Sequence, residues 1–156
     1  MRGRILIVED FGDWRELLNG LLQREGHQVT AVATLQEAQA CIDAANDLDL
    51  AILDIRLVET DETNEDGMQL LAEIRERQAS TRVIMITGHG TMETQRRAFR
   101  DYRAFDFFRK EQFDSEEFRQ SVREAVDQAA RERQASKDAD YMRGHHYQTW
   151  KRTQED

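Results

Sequence analysis

The chain has 156 residues, a formal net charge of −9 and one cysteine: long enough for one domain with its own core, too poor in thiol for a disulfide framework. It contains no run of 18 or more apolar residues, which argues against a membrane span, and its acidic balance argues against direct nucleic-acid binding through a phosphate backbone. An N-terminus, "MRGRILIVED", that turns acidic so early is not a secretory signal, and with the lone thiol of Cys41 it indicates a reducing cytoplasm.

With no proline in the chain, boundaries are read from glycine, polar clusters and changes of period. The first strand, β1, is predicted at 4–8 ("RILIV"). Helix α1 follows over 13–25, with Trp14, Leu17, Leu18, Leu21 and Leu22 on one stripe and Gly26 as its stop. A weaker alternating run, "HQVTAV" at 27–32, is β2. Thr34 caps α2, Glu37 completes a capping box, and Leu35, Ala38, Cys41, Ile42 and Ala45 face the core, with Cys41 as a small buried hydrophobe. Then come β3, "LAILDI" at 50–55, and α3 near 67–78, carrying Met68, Leu70, Leu71 and Ile74. Strand β4 is "RVIMIT" at 82–87, α4 follows "TGHGT" at 87–91, and β5 is "AFDFF" at 104–108. Helix α5 begins at Asp114 or Ser115 and buries Phe118, Val122, Ala125, Val126 and Ala129.

Continuous apolar runs of this length suit strands covered on both faces. Five β-α units in strict alternation predict an α/β fold, a doubly wound sheet with right-handed crossovers. The apolar stripe fades after about Ala130, so a domain at 1–130 is expected, followed at 131–156 by a polar tail or an extension of the last helix.

In such sheets the ligand site lies at the carboxyl ends of the strands. Glu9 and Asp10 end β1 and Asp54 lies at the end of β3, a central neighbour, so three carboxylates converge on one crevice. Unpaired, they repel and raise one another's pKa values. A hard divalent cation removes the conflict, and an oxygen-only, incomplete cage favours Mg²⁺ with several waters. Thr87 at the end of β4 and Lys110 after β5 point to the same place, a hydroxyl and an ammonium suited to a phosphorylated carboxylate.

The blocks "ILIVED", "LAILDIRL", "VIMITGHG" and "FDFFRK" together resemble the response-regulator receiver domain of two-component signalling, over residues 4 to about 130. The resemblance implies a (βα)5, flavodoxin-like sheet in strand order 2-1-3-4-5, with Asp54 as phosphoacceptor and Mg²⁺ held by Glu9, Asp10, Asp54 and the Arg56 backbone carbonyl. It implies that Thr87 and Lys110 engage the phosphoryl group and that Phe107 is the aromatic that changes rotamer. It further implies a histidine kinase or phosphotransfer protein as donor and an α4-β5-α5 face that changes its partner preference, whether for a downstream protein, an effector domain or a second copy. Arg56 and His89, two residues after Asp54 and Thr87, stand where the family tunes phosphoryl lifetime, and their bulk suggests slow hydrolysis. Such a chain is a switch rather than a turnover enzyme.

Three departures stand out. Glu111 replaces the proline usual after the lysine, which puts a cis Lys110–Glu111 bond in question. The stretch from Asp54 to Gly67 is longer than usual and holds "ETDETNED" at 59–66, five acids without a base; it reads as a solvated insertion, with a kinase-selectivity or extra cation-binding lip beside the site as the other option. "RDYRA", at 100–104, stands where a small Gly-Ala turn is common, within the basic run 96–103. Two rivals to the switch are weighed: a pseudo-receiver that binds partners without phosphorylation, and a small Mg²⁺-dependent phosphohydrolase, for which the chain shows no cap segment. His145-His146 lack metal-ligand spacing, and Tyr147 and Trp150 read as either docked or free in the tail.

Overall fold

In the computed structural model, which describes the backbone of residues 2–155 and the side chains of residues 2–144, the apolar runs become five parallel strands. They are β1 (Arg4–Val8), β2 (Gln28–Val32), β3 (Leu50–Leu53), β4 (Arg82–Thr87) and β5 (Asp106–Arg109), in sheet order 2-1-3-4-5. Between them run α1 (Gly12–Arg24), α2 (Leu35–Ala44), α3 (Asp66–Arg77) and α4 (Met92–Arg100), and α5 spans Ser115–Glu155.

The period-2 pleat sorts each central strand into two cores. Leu6, Val8, Ala51, Leu53, Val83 and Met85 face one core with residues of α2, α3 and α4. Ile5, Ile7, Leu50, Ile52, Ile84 and Ile86 face the other, built with Leu18 and Leu22 of α1 and Phe118, Val122 and Val126 of α5. Continuous apolar runs are therefore the expected reading of doubly covered strands. The α1 stripe is narrower than its spacing suggests: Leu18, Leu21 and Leu22 are buried, but Leu17 is 45% exposed at the flank.

Local signals end the helices where the chemistry allows. Gly26 takes φ +90, and His27 N–H to the Leu22 carbonyl at 3.1 Å and Gly26 N–H to Gln23 at 2.9 Å close α1 with a Schellman turn. Thr34 Oγ1 accepts from Glu37 N–H at 3.1 Å, but the Glu37 carboxylate takes the Thr34 hydroxyl at 3.0 Å instead of a backbone donor, so only half of the expected capping box forms. A full box occurs instead at α4, between Thr91 and Thr94. Asp114 caps α5 by accepting from Glu116 and Glu117 N–H. Arg103, in the "RDYRA" turn, has φ 55, a left-handed conformation ordinarily given to glycine.

The expected boundary near residue 130 falls inside α5. Arg133 donates to Asp49 Oδ1 at 2.6 Å and to the Asp47 carbonyl at 3.2 Å, and Glu132 pairs with Arg82, so the helix is fastened to the amino-terminal edge of the sheet three residues further on. Asp49 also accepts the Arg4 N–H at 2.9 Å. Past Arg133 the described side chains are exposed, among them Tyr141 at 72%. His145, His146, Tyr147 and Trp150 lie outside the described side chains. No helix among the described residues is long and apolar enough to cross a membrane.

One contact positions the site from below. Gly67, in the first turn of α3, donates its N–H to the Ile55 carbonyl at 2.9 Å, and a Cβ there would lie 1.8 Å from the Asp54 carbonyl oxygen. No side chain fits, because the neighbour is backbone rather than a flexible tip. Gly67→Ala is expected to destabilise the fold by at least about 3 kcal/mol in urea unfolding, the upper range for overpacking.

Candidate functional site

Backbone hydrogen bonds continue past the strand ends and carry the acids into place. Asp54 N–H donates to the Val8 carbonyl at 3.1 Å and Glu9 N–H to Val32 at 3.0 Å. Arg15 from α1 grips the turn by donating to the carbonyls of Glu9 at 2.9 Å and Asp10 at 3.3 Å. One oxygen each of Glu9, Asp10 and Asp54 then lies within 4.8 Å of the others. Glu9 and Asp54 are buried and Asp10 is half-buried.

Lys110 enters from the other side. Its Nζ lies 3.0 Å from Asp54 Oδ2, 2.9 Å from Glu9 Oε2 and 3.1 Å from Glu9 Oε1. The pleat accounts for this: counted on from β1, β3 and β5, Glu9, Asp54 and Lys110 share the parity of Ile7, Ile52 and Phe108, which face the α1–α5 core. Trp14 lines the approach, with the ammonium 5.4 Å from its ring centroid and Phe113 edge-on behind it. The chain has no cis peptide bond among the described residues, so Lys110–Glu111 is trans, and Lys110 opens a 3-10 turn (Lys110–Gln112) without losing the two acids. The missing proline has not displaced the lysine.

Thr87 and Phe107 have the opposite parity. Thr87 is fully buried and its Oγ1 accepts the His89 N–H at 3.1 Å. Gly90 sits where a Cβ would lie 2.8 Å from the Phe107 ring and 3.0 Å from the Thr87 methyl, so loop, hydroxyl residue and aromatic are in one contact set. Phe99 of α4 covers the same ring at 6.4 Å between centroids.

Arg56 and His89 are both held by the acidic segment. Arg56 donates to the Glu62 carbonyl at 3.3 Å, and His89 Nε2 lies 2.7 Å from Glu59 Oε1. Glu65 pairs with Arg97 of α4 at 2.7 Å. The run 59–66 is exposed, as a solvated insertion should be, yet it is tied across to the β4–α4 loop and α4 and forms a lip beside the site. Sequence reasoning did not single out Arg15, Glu59, Asn64, Gly67 or Gly90. The second glycine of "GHG" carried a usable sign of close approach; Glu59 and Gly67 answer to residues thirteen or more positions away.

The electrostatics are unbalanced. Burial, then the Asp54 charge, push Glu9 up to about 8 despite Lys110. Burial, Asp54 and Glu59 raise Asp10. Burial opposes the Lys110 charge, but Asp54 and Glu9 outweigh it and hold the ammonium above its usual range. Asp10 Oδ1 and Asp54 Oδ1 are buried without a hydrogen-bond partner, and Glu9 Oε2 is close to Lys110 without a well-directed bond. Three acids, one cation and three unfilled oxygens fit a divalent hard cation, for which carboxylate oxygens are the preferred donors.

The sign of the pH dependence follows. Glu9 binds its proton more tightly in the folded chain than an ordinary glutamate, whose pKa is 4.5, so between there and about 8 the native state holds more protons. Without a cation, stability should fall as pH rises through that window. A bound cation needs the ionised carboxylates, so the gain in Tm on adding 10 mM Mg²⁺ is expected to be small near pH 5 and to grow toward pH 8. Asp10→Asn, which removes a repelling charge that Lys110 does not pair, is expected to raise the cation-free Tm by about 2–4 °C, on the order of 1 kcal/mol, and to abolish most of the Mg²⁺ effect. Thermal melts across pH with and without Mg²⁺ check both.

Comparison with known proteins agrees with this geometry. Residues 5–123 match the family model described as the response regulator receiver domain. The transcriptional regulatory protein TcrA of Mycobacterium tuberculosis is 36% identical over 107 residues, covering 69% of this chain and 40% of that protein. The crystal structure of NtrX from Brucella abortus in complex with ADP superposes with a TM-score of 0.73 at 33% identity, over 88% of this chain and 29% of NtrX. A CheY-like receiver domain protein from Methanospirillum hungatei JF-1 gives a TM-score of 0.73 at 26% identity, over 85% of this chain and 99% of its own. The chain thus spans less than half the length of the curated regulator TcrA and matches the small receiver nearly end to end. It belongs to the response regulator receiver domain family.

Proposed function

We propose that the chain is a phosphoacceptor switch in which Asp54 takes a phosphoryl group from a histidine kinase or phosphotransfer protein. The observation that carries this reading is the asymmetry of Asp54: Lys110 holds Oδ2 at 3.0 Å, while Oδ1 is buried and unpartnered, on a carboxylate that stands with those of Glu9 and Asp10. Oδ1 is then the nucleophile. Its bond to phosphorus forms as the phosphorus–nitrogen bond of the phosphohistidine breaks, and the imidazole nitrogen leaves with the electron pair. Glu9, Asp10 and Asp54, with the Arg56 backbone carbonyl, would hold Mg²⁺, which supplies charge neutralisation for the phosphoryl oxygens and the pocket acids. Lys110 stays beside the new anion from the Oδ2 side.

The readout uses Thr87. Its hydroxyl oxygen accepts from His89 N–H, so its own proton is free to donate to a phosphoryl oxygen. Turning Thr87 toward the anion draws on the 88–91 loop through that bond and vacates the space beside the Phe107 ring that Gly90 keeps open. Phe107 turning inward and α4 following form the two-state element that one local charge biases. The output surface is the α4-β5-α5 face, where Met92 is 75% and Phe99 37% exposed among the arginines of α4; it would meet a downstream protein, an effector domain or a second copy. Phe11, 53% exposed directly after the acids, gives the phosphodonor an apolar footing beside the pocket.

The test is intact mass after incubation with acetyl phosphate and Mg²⁺. One added phosphoryl group is expected on the wild-type chain and none on Asp54→Ala or without Mg²⁺. In a Trp150→Phe background, Trp14 is the single tryptophan, and its emission, set beside Lys110, is expected to change on adding beryllofluoride with Mg²⁺. A chain that takes neither phosphoryl group nor beryllofluoride is a phosphorylation-independent interaction module instead.

A further inference from the structure

We infer that the acidic insertion sets the lifetime of the phosphoryl group, and that Glu59 is its positioning residue, acting through His89. The inference rests on the phosphoacceptor reading of Asp54 and goes beyond it.

The insertion is stiff where it matters. Asp61 N–H donates to the Val58 carbonyl and Asn64 N–H to Asp61, both at 3.0 Å. Asp61 Oδ1 takes the Thr63 N–H at 3.0 Å and hydroxyl at 2.7 Å. Asn64 Oδ1 accepts from Leu57 N–H at 3.0 Å and Asp66 N–H at 3.1 Å, which ties the turn to both of its stems. From this frame three contacts reach across. Glu59 holds the His89 ring, the Glu62 carbonyl holds the Arg56 guanidinium, and Glu65 holds Arg97. Arg56 and His89 lie two residues after Asp54 and Thr87, in the loops that follow β3 and β4, so the insertion grips one side chain from each loop. Together with Glu62, Glu65 and Thr91 they line a cavity of about 280 Å³.

Loss of the phosphoryl group needs a water molecule. Its oxygen forms a bond to phosphorus as the bond to Asp54 Oδ1 breaks, the carboxylate leaves with the electron pair, and a water proton passes to the departing inorganic phosphate. A histidine and an arginine pinned at the mouth restrict the line of approach opposite Oδ1. Release of His89 removes one of the two. The Glu59–His89 contact is partly exposed, and a pair of that kind shifts an equilibrium by a small factor, about two- to fivefold in rate.

The experiment follows decay of the phosphorylated chain by intact mass after removing acetyl phosphate, in saturating Mg²⁺. Glu59→Ala is expected to lose the group about two to five times faster than wild type. His89→Ala should match it, and the double variant should be no faster than His89→Ala. Glu59→Gln, which keeps an acceptor oxygen, should restore most of the wild-type lifetime. Glu62→Ala removes the same charge from the same turn, but its contact is through the backbone carbonyl, so it should decay as wild type. Equal lifetimes for Glu59→Ala and wild type, additive effects in the double variant, failure of Glu59→Gln to restore, or an equal acceleration in Glu62→Ala would each overturn the inference while leaving the switch intact. A wild-type chain that accepts no phosphoryl group overturns the phosphoacceptor reading and this one with it.

Discussion

The ammonium of Lys110 between Glu9 and Asp54 is the interaction on which the rest of the structure depends. Two buried carboxylates at this separation, with a third beside them, repel by about 3–4 kcal/mol per pair at an effective dielectric of about 20. One lysine offsets part of that and no more. It brings the end of β5 against the ends of β1 and β3, and it needs Trp14 and Phe113 as an apolar wall. The remaining imbalance appears as a raised Glu9 and three unfilled oxygens. Three of the five buried polar atoms without a hydrogen-bond partner among the described residues lie here, as expected where charge is kept for function.

The two sides of the pleat divide the labour. On the α1–α5 side stand Glu9, Asp54 and Lys110, the buried charges of the pocket. On the other stand Thr87, Gly90 and Phe107, which touch one another and the underside of α4. Thr87 is joined to the 88–91 loop by its hydrogen bond from His89 N–H, and Phe107 meets α4 at Phe99. The acidic lip grips that same loop from outside through His89 and α4 through Arg97. Loop position is therefore contested by two partners, one buried and one exposed.

The far end of the sheet follows a different logic. Arg133 on Asp49, and Glu132 on Arg82, lock α5 against the amino-terminal edge of the sheet before the helix runs on to Glu155. A helix of 41 residues is about 60 Å long, far beyond the sheet it packs on. The direction in which it leaves is set by those anchors, not by its own polar sequence.

Much of this was legible in the residues. Alternating apolar runs, helix stripes and strand-end acids determined five β-α units, the doubly wound class and the meeting of Glu9, Asp10, Asp54 and Lys110, because period is a local property of a strand or helix; Thr87 faces the other side of the pleat. Tertiary structure alone decided that Lys110 keeps both acids across a trans bond to Glu111, that Leu17 stays outside, and that the Glu37 half of a capping box turns to the hydroxyl. It also decided that "ETDETNED" is a tied lip, since Glu59 meets His89 thirty residues on and Glu65 meets Arg97 thirty-two on. Composition describes how readily a segment is solvated; which distant cation it meets depends on how the strands are ordered in the sheet, and no local pattern carries that.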